Sequence, residues 1–142
     1  MRKPSLLADR RLYSPGDVIV REGEEGYSLY LIEKGAVEIF KTTDKGEAIL
    51  GHIGKDGIFG EMALVDGSKR MASVRAVELT TCQIFPREYF QYRLGRSDKL
   101  IQALMRIFTG HIRSLTQLQA DVGAGEVQRP SYSFTQKDML DD

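Results

Sequence analysis

Between residues 11 and 85 the sequence is cut into short apolar runs at near-regular intervals, and this rhythm limits the fold more than any other feature. The runs are DVIV (17–20), YSLYLIE (27–33), AVEIF (36–40), AILGHI (48–53), ASVRAVE (72–78) and TCQIF (81–85), all rich in β-branched or aromatic residues. The separators SPGD, REGEEG, EKG, TTDKGE and GKDG are too short for the long crossovers that parallel strands need. The expected fold is therefore mainly β, an antiparallel jelly-roll sandwich or barrel. Within AVEIF, Val37 and Ile39 share one face and Glu38 takes the other, the period of two that a half-buried strand requires.

After Phe85 the period changes. Pro86 suits the start of a helix, and REYFQYRL then runs to Gly95, a helix stop. Ser97 and Asp98 supply a second start, and the following helix is expected to reach about Val122, where GAG ends it. That length is roughly 37 Å at 1.5 Å per residue. Ile101, Phe108, Leu115 and Val122 recur every seven residues, with Leu104 and Leu118 at the intervening apolar positions. Two readings stand open: a helix lying wholly against its own barrel, or a two-helix seam between protomers over residues 97–122. His111 and Gly110 interrupt the heptad. The domain is expected over residues 1–122, with its β part at about 11–85 and helices at 86–122, followed by a tail at 123–142.

Composition excludes several function classes. The 142 residues hold 20 Lys plus Arg against 20 Asp plus Glu, so there is no chain-wide basic footprint for nucleic acid. The tail is too short to hold a helix-turn-helix reader. No window approaches 18 uninterrupted apolar residues, and the first residues lack the apolar stretch of a signal peptide, so neither a membrane span nor export is expected. A single cysteine, Cys82, cannot close an internal disulfide and reads as a packing residue of a cytoplasmic protein. Histidines occur only at 52 and 111, one on an expected strand and one on the long helix, which argues against the clustered-histidine metal sites of jelly-roll enzymes. GKDGIFGE lacks the Lys-Ser/Thr ending of a nucleoside triphosphate loop, and no nucleophile setting is recognisable, so catalysis and a resident cofactor are not expected.

The run FGEMALVDGSKRMASVRA (59–76) carries the chemistry. GEMALV can form a short helical turn whose first N–H groups have no internal partner and suit an anion. Arg70 offers a planar fork matched to two phosphate oxygens. Glu61 accepts but cannot donate when ionised, so its partner must carry a donor such as a sugar hydroxyl. Together these residue types describe a sugar phosphate with a free neighbouring hydroxyl.

That run resembles the phosphate-binding cassette of cyclic nucleotide-binding domains, the kind carried by cAMP receptor proteins and protein kinase regulatory subunits. The usual form is F-G-E-L/M-A-L, a short gap, then P-R-A/S/T-A-T/S. Upstream, YSPGDVIVREGEEGYSLYLIEKGAVEIF resembles the first strands of the same family, so the likeness covers about residues 11–90. The two helices fit the family's B and C helices. The resemblance implies that Glu61 accepts the ribose 2′-hydroxyl and that Gly60, Met62 and Ala63 line the sugar phosphate. It implies that Arg70 pairs with the cyclic phosphate beside the N–H of Met71 or Ala72, while Ile39 and Leu50 face the base. Lys69 replaces the usual proline, and Met71 stands where cGMP-selective members place Thr or Ser. A thioether cannot donate to guanine, so cAMP is expected ahead of cGMP.

The expected function is thus a cyclic nucleotide sensor whose helices move as the output, with Arg106, Arg113 or Gln117 as the lid contact over the base. An effector protein, which the sequence does not name, or a second copy of the chain would carry the signal. The alternative is a degenerate member in which Glu61 and Arg70 merely bridge a surface loop and the fold serves as a ligand-independent dimerisation module.

Overall fold

All six apolar runs are strands in the computed structural model, which describes residues 9–121. Along the chain they are β2 (Val18–Val20), β3 (Ser28–Lys34), β4 (Val37–Thr43), β5 (Gly46–Ile53), β7 (Ser73–Ala76) and β8 (Thr80–Pro86). Two further strands, β1 (Asp9–Tyr13) and β6 (Ile58–Phe59), complete the sandwich. One four-stranded sheet runs β1-β8-β3-β6 and the other β2-β7-β4-β5, and every pairing is antiparallel. Consecutive strands β3 and β4 lie in different sheets, so the chain must switch sheets between them. Gly35 makes that turn at φ 96°, where a Cβ would stand 2.4 Å from Thr80 Oγ1 and 2.5 Å from the Leu79 carbonyl.

The core between the sheets is built from Val20, Ile32, Val37, Ile39, Leu50, Ile53, Phe59, Val74 and Cys82. Cys82 is fully buried there, and burial pushes its thiol up to about 12, so it packs rather than reacts. Strand β3 also buries its second face. Leu29 and Leu31 meet Phe85 and Leu64, a residue of the short helix α1 (Glu61–Asp66), which explains why YSLYLIE reads as a near-continuous apolar run rather than an alternation.

Helix α2 (Arg87–Gly95) starts directly after Pro86, and α3 spans Lys99–Asp121. Asp98 starts α3 as a cap, its Oδ1 accepting the Leu100 N–H at 2.8 Å. Near its C-terminal end α3 inserts Ala120 into the inter-sheet core. Its apolar stripe does not follow: Ile101, Phe108, Leu115 and Leu118 remain exposed. The helix therefore does not lie wholly against its own barrel. Val122 and the expected tail at 123–142 fall outside the described residues.

Candidate functional site

The run 59–76 forms one wall of a small chamber. Strand β6 ends at Phe59, Gly60 caps α1 in a left-handed conformation, and Gly67 closes α1 in the same way. Gly60 is required twice over. Its φ is 88°, and a Cβ there would lie 2.8 Å from Arg70 Nη1 and 3.1 Å from the Ser28 carbonyl oxygen.

Arg70 is only 7% exposed. Its Nη1 donates to the Gly60 carbonyl at 2.7 Å and its Nη2 to the Ser28 carbonyl at 2.8 Å. Its backbone is pinned as well, the N–H donating to the Glu24 carbonyl at 2.7 Å and the carbonyl accepting from Gly23 N–H at 2.8 Å. A guanidinium has five N–H donors, so two carbonyl bonds orient the fork and leave three for an anion. Burial lowers the Arg70 pKa, while Tyr30, Glu61 and Glu24 pull it back up. Tyr30 stacks on Phe59 with ring centroids 4.8 Å apart, forming a flat wall 6.0 Å from the guanidinium carbon. Arg70 is thus a buried, pre-oriented residue, not a surface side chain bridging a loop.

Gly60, Glu61, Met62, Ala63, Arg70, Met71, Ala72 and Ile39 all line one half-open cavity of about 50 Å³. Leu50 does not share that wall. It packs in the core with Ile39, at a bulge where β5 carries an extra residue opposite β4. Of the cavity's remaining lining, Arg113 is one of the lid candidates read from the sequence, whereas Val20, Phe59 and Val74 are given no role there. Phe59 opens the F-G-E-M-A-L run, while Val20 and Val74 carry no motif, and only their inward register on strands could have marked them.

Helix α3 crosses the chamber's mouth. Arg113 lines the cavity and grips Asp66 at the end of α1, through Nε to Oδ2 and Nη2 to Oδ1, the latter at 3.0 Å. Its Nη1 also reaches the Lys69 carbonyl at 3.4 Å. Gln117, one turn on, accepts from Lys41 Nζ at 2.6 Å. Both residues border an open trough of about 530 Å³ that also includes Met71, Ser114 and Leu118. Arg106 is exposed and lines neither space.

Burial alone would raise the Asp66 pKa, but the Arg113 and Ser68 hydrogen bonds outweigh it and hold the carboxyl below its usual range. A depressed folded-state pKa gives a contribution that is present above the unfolded value and lost as pH falls through the folded one. Acidification below about pH 4 should therefore loosen α3 from α1. Hydrogen exchange of α3 amides should accelerate over that range in the wild type, and Asp66→Asn should flatten the dependence. An α3 whose exchange has the same acid profile in both proteins would show that Asp66 does not hold it.

Residues 10–97 match the family described as cyclic nucleotide-binding domain. The chain is 32% identical over 132 residues to the cyclic AMP receptor protein of Thermus thermophilus, covering 92% of this chain and 61% of that protein. It is 37% identical over 100 residues to a cAMP-dependent protein kinase regulatory subunit of Hypocrea atroviridis, covering 70% of this chain and 21% of the relative. Among solved structures, the cAMP-bound form of an EAL enzyme superposes with a TM-score of 0.75 at 37% identity, over 80% of this chain and 30% of that one. The chain thus spans less than two thirds of the length of each. The antiparallel sandwich, the glycine-capped α1 with its buried arginine, and the match over residues 10–97 converge: this chain belongs to the cyclic nucleotide-binding domain family.

Proposed function

We propose that the chain is a regulatory module that binds a cyclic nucleotide, cAMP ahead of cGMP, and reports binding through movement of α3. The observation that carries this reading is Arg70, buried and oriented in the same cavity as Glu61 and the first turn of α1. In this reading Arg70 pairs with the cyclic phosphate, with the N–H of Met71 or Ala72 beside it. Glu61 takes the ribose 2′-hydroxyl, and Gly60, Met62 and Ala63 border the sugar phosphate. Ile39 faces the base directly, and Leu50 supports it from behind. The relatives' names include both cAMP and cGMP proteins, so the preference for cAMP rests on Met71, which has no donor for guanine.

A cavity of about 50 Å³ is far below the roughly 300 Å³ of small-molecule pockets. Ligand must therefore shift what crosses the mouth, and that is α3 through Arg113 and Gln117. Nucleotide then favours whichever α3 position binds it better, which is the source of a signal. No helix among the described residues is long and apolar enough to cross a membrane. We place the module in the cytoplasm, without catalysis or a resident cofactor of its own, acting through a second copy or an effector protein.

Calorimetric titration of nucleotide-stripped protein with cAMP and cGMP tests the reading. Micromolar or tighter binding, with cAMP the tighter ligand, is the expected result. If neither nucleotide binds, the sensor reading falls and the ligand-independent module takes its place.

A further inference from the structure

One buried cation has no part in the phosphate chemistry. Lys41 is 8% exposed, on the inner face of β4, two residues beyond Ile39 and hence about 7 Å further along the strand. Ile39 lines the half-open cavity; Lys41 itself lines neither that cavity nor the trough, and its ammonium meets the trough's edge at Gln117 of α3. Its ammonium donates to Gln117 Oε1 at 2.6 Å and lies 3.6 Å from Glu22 Oε2. Glu22 is held in turn, its Oε1 accepting the Thr42 N–H at 3.3 Å. Gln117 borders the open trough, and Met71 and Arg113 line both that trough and the cavity, so the two spaces meet. A ligand with its phosphate at Arg70 and its base against Ile39 would point that base along Met71 toward Lys41 and Gln117.

We infer that Lys41 and Gln117 form the base-reading pair of this site, Lys41 recognising a 6-oxo purine and Gln117 a 6-amino purine. This inference rests on the nucleotide-binding reading above. The chemistry follows from the two side chains. An ammonium has donors and no acceptor, so it matches the adjacent O6 and N7 acceptors of guanine. A carboxamide has both, so it matches the N6 donor and N7 acceptor of adenine. The existing Lys41–Gln117 bond biases the pair. A 6-oxo purine can be met by the ammonium while that bond persists, whereas a 6-amino purine must share Gln117 Oε1 with Lys41. Lys41 therefore works against the cAMP preference that Met71 sets, and its removal should widen the gap between the two ligands.

The test is calorimetric titration of wild type, Lys41→Met and Gln117→Ala with the cyclic 3′,5′-monophosphates of adenosine, guanosine and inosine. Inosine differs from adenosine in the position-6 group without guanine's 2-amino group. Methionine keeps the length and apolar stem of Lys41, and a melting curve reports whether it folds. Gln117 is exposed, so its substitution leaves the fold intact. In Lys41→Met, affinity for the guanosine and inosine ligands should fall about tenfold or more, and that for the adenosine ligand less than threefold. In Gln117→Ala the adenosine ligand should lose the most. Equal losses for all three ligands in both variants would make Lys41 and Gln117 structural and overturn the inference, as would no change in either. If wild type binds none of the three, the nucleotide reading itself has failed, and this inference with it.

Discussion

Arg70→Ala should weaken cAMP and cGMP binding by roughly 10² to 10⁴-fold. A charge-assisted hydrogen bond contributes about 1.5–3 kcal/mol, and the fork can give two to one phosphate, so about 3–6 kcal/mol is at stake. The variant also loses stability, because the Gly60 and Ser28 carbonyls lose their donors. Each buried acceptor left without a partner costs about 1–3 kcal/mol. The two effects separate in a thermal melt: the variant should unfold earlier without nucleotide and gain no further stability when nucleotide is added. Arg70→Lys provides the second arm. It keeps the charge and loses the fork, so its affinity should lie between those of wild type and alanine. A folded Arg70→Ala protein that binds cAMP as tightly as wild type would sink the site assignment.

What the sequence disclosed and what it hid follow from how each residue signals. Strands β4, β5, β7 and β8 announce themselves because β-branched and aromatic residues alternate or cluster between strong turn signals. Strand β1 does not. Its DRRLY is mostly solvent-exposed and lies at an edge of its sheet, and only Tyr13 packs against the core, too little for an apolar face to read. Strand β6 has two residues, too few for any period. The cassette was legible because its chemistry is ordered in one short run: Gly60, Glu61 and Arg70 come from a single connection and meet in one cavity. Leu50 shows the limit of alignment by alternation. The bulge in β5 places it in the core rather than on the cavity wall. Arg113 and Gln117 were candidates among several polar residues of α3, and only packing distinguishes them from Arg106. The Arg113–Asp66 grip joins residues 47 positions apart, a separation that no local pattern encodes.

Leu115→Glu together with Leu118→Glu should turn a dimer into a monomer. Residues Ile101, Phe108 and Leu115 repeat every seven positions along α3, and all three are exposed, Leu115 at 67% and Phe108 at 57%. Leu118 follows at 60%, although the opposite side of the same helix buries Thr109 and Ala120. An isolated domain has no need for an apolar stripe at coiled-coil spacing on the side facing away from its own barrel, and a second α3 would fit it. Burying one leucine contributes roughly 1.5–3 kcal/mol, and symmetry counts each substitution twice. One leucine lost from both helices therefore costs about 3–6 kcal/mol, or roughly 10² to 10⁴ in the dimer dissociation constant, and the double variant costs more. Sedimentation velocity at micromolar protein should show a dimer for wild type and a monomer for the variant; Leu115→Glu alone, at a residue that borders neither the cavity nor the trough, is the variant in which nucleotide affinity should be retained. A wild type that sediments as a monomer with and without nucleotide would remove the second copy as the occupant of this face and leave an effector protein to cover it. If the dimer forms only with nucleotide, or only without it, α3 is where ligand and assembly meet, because Arg113 and Gln117 near the site share a helix with the leucines of the seam.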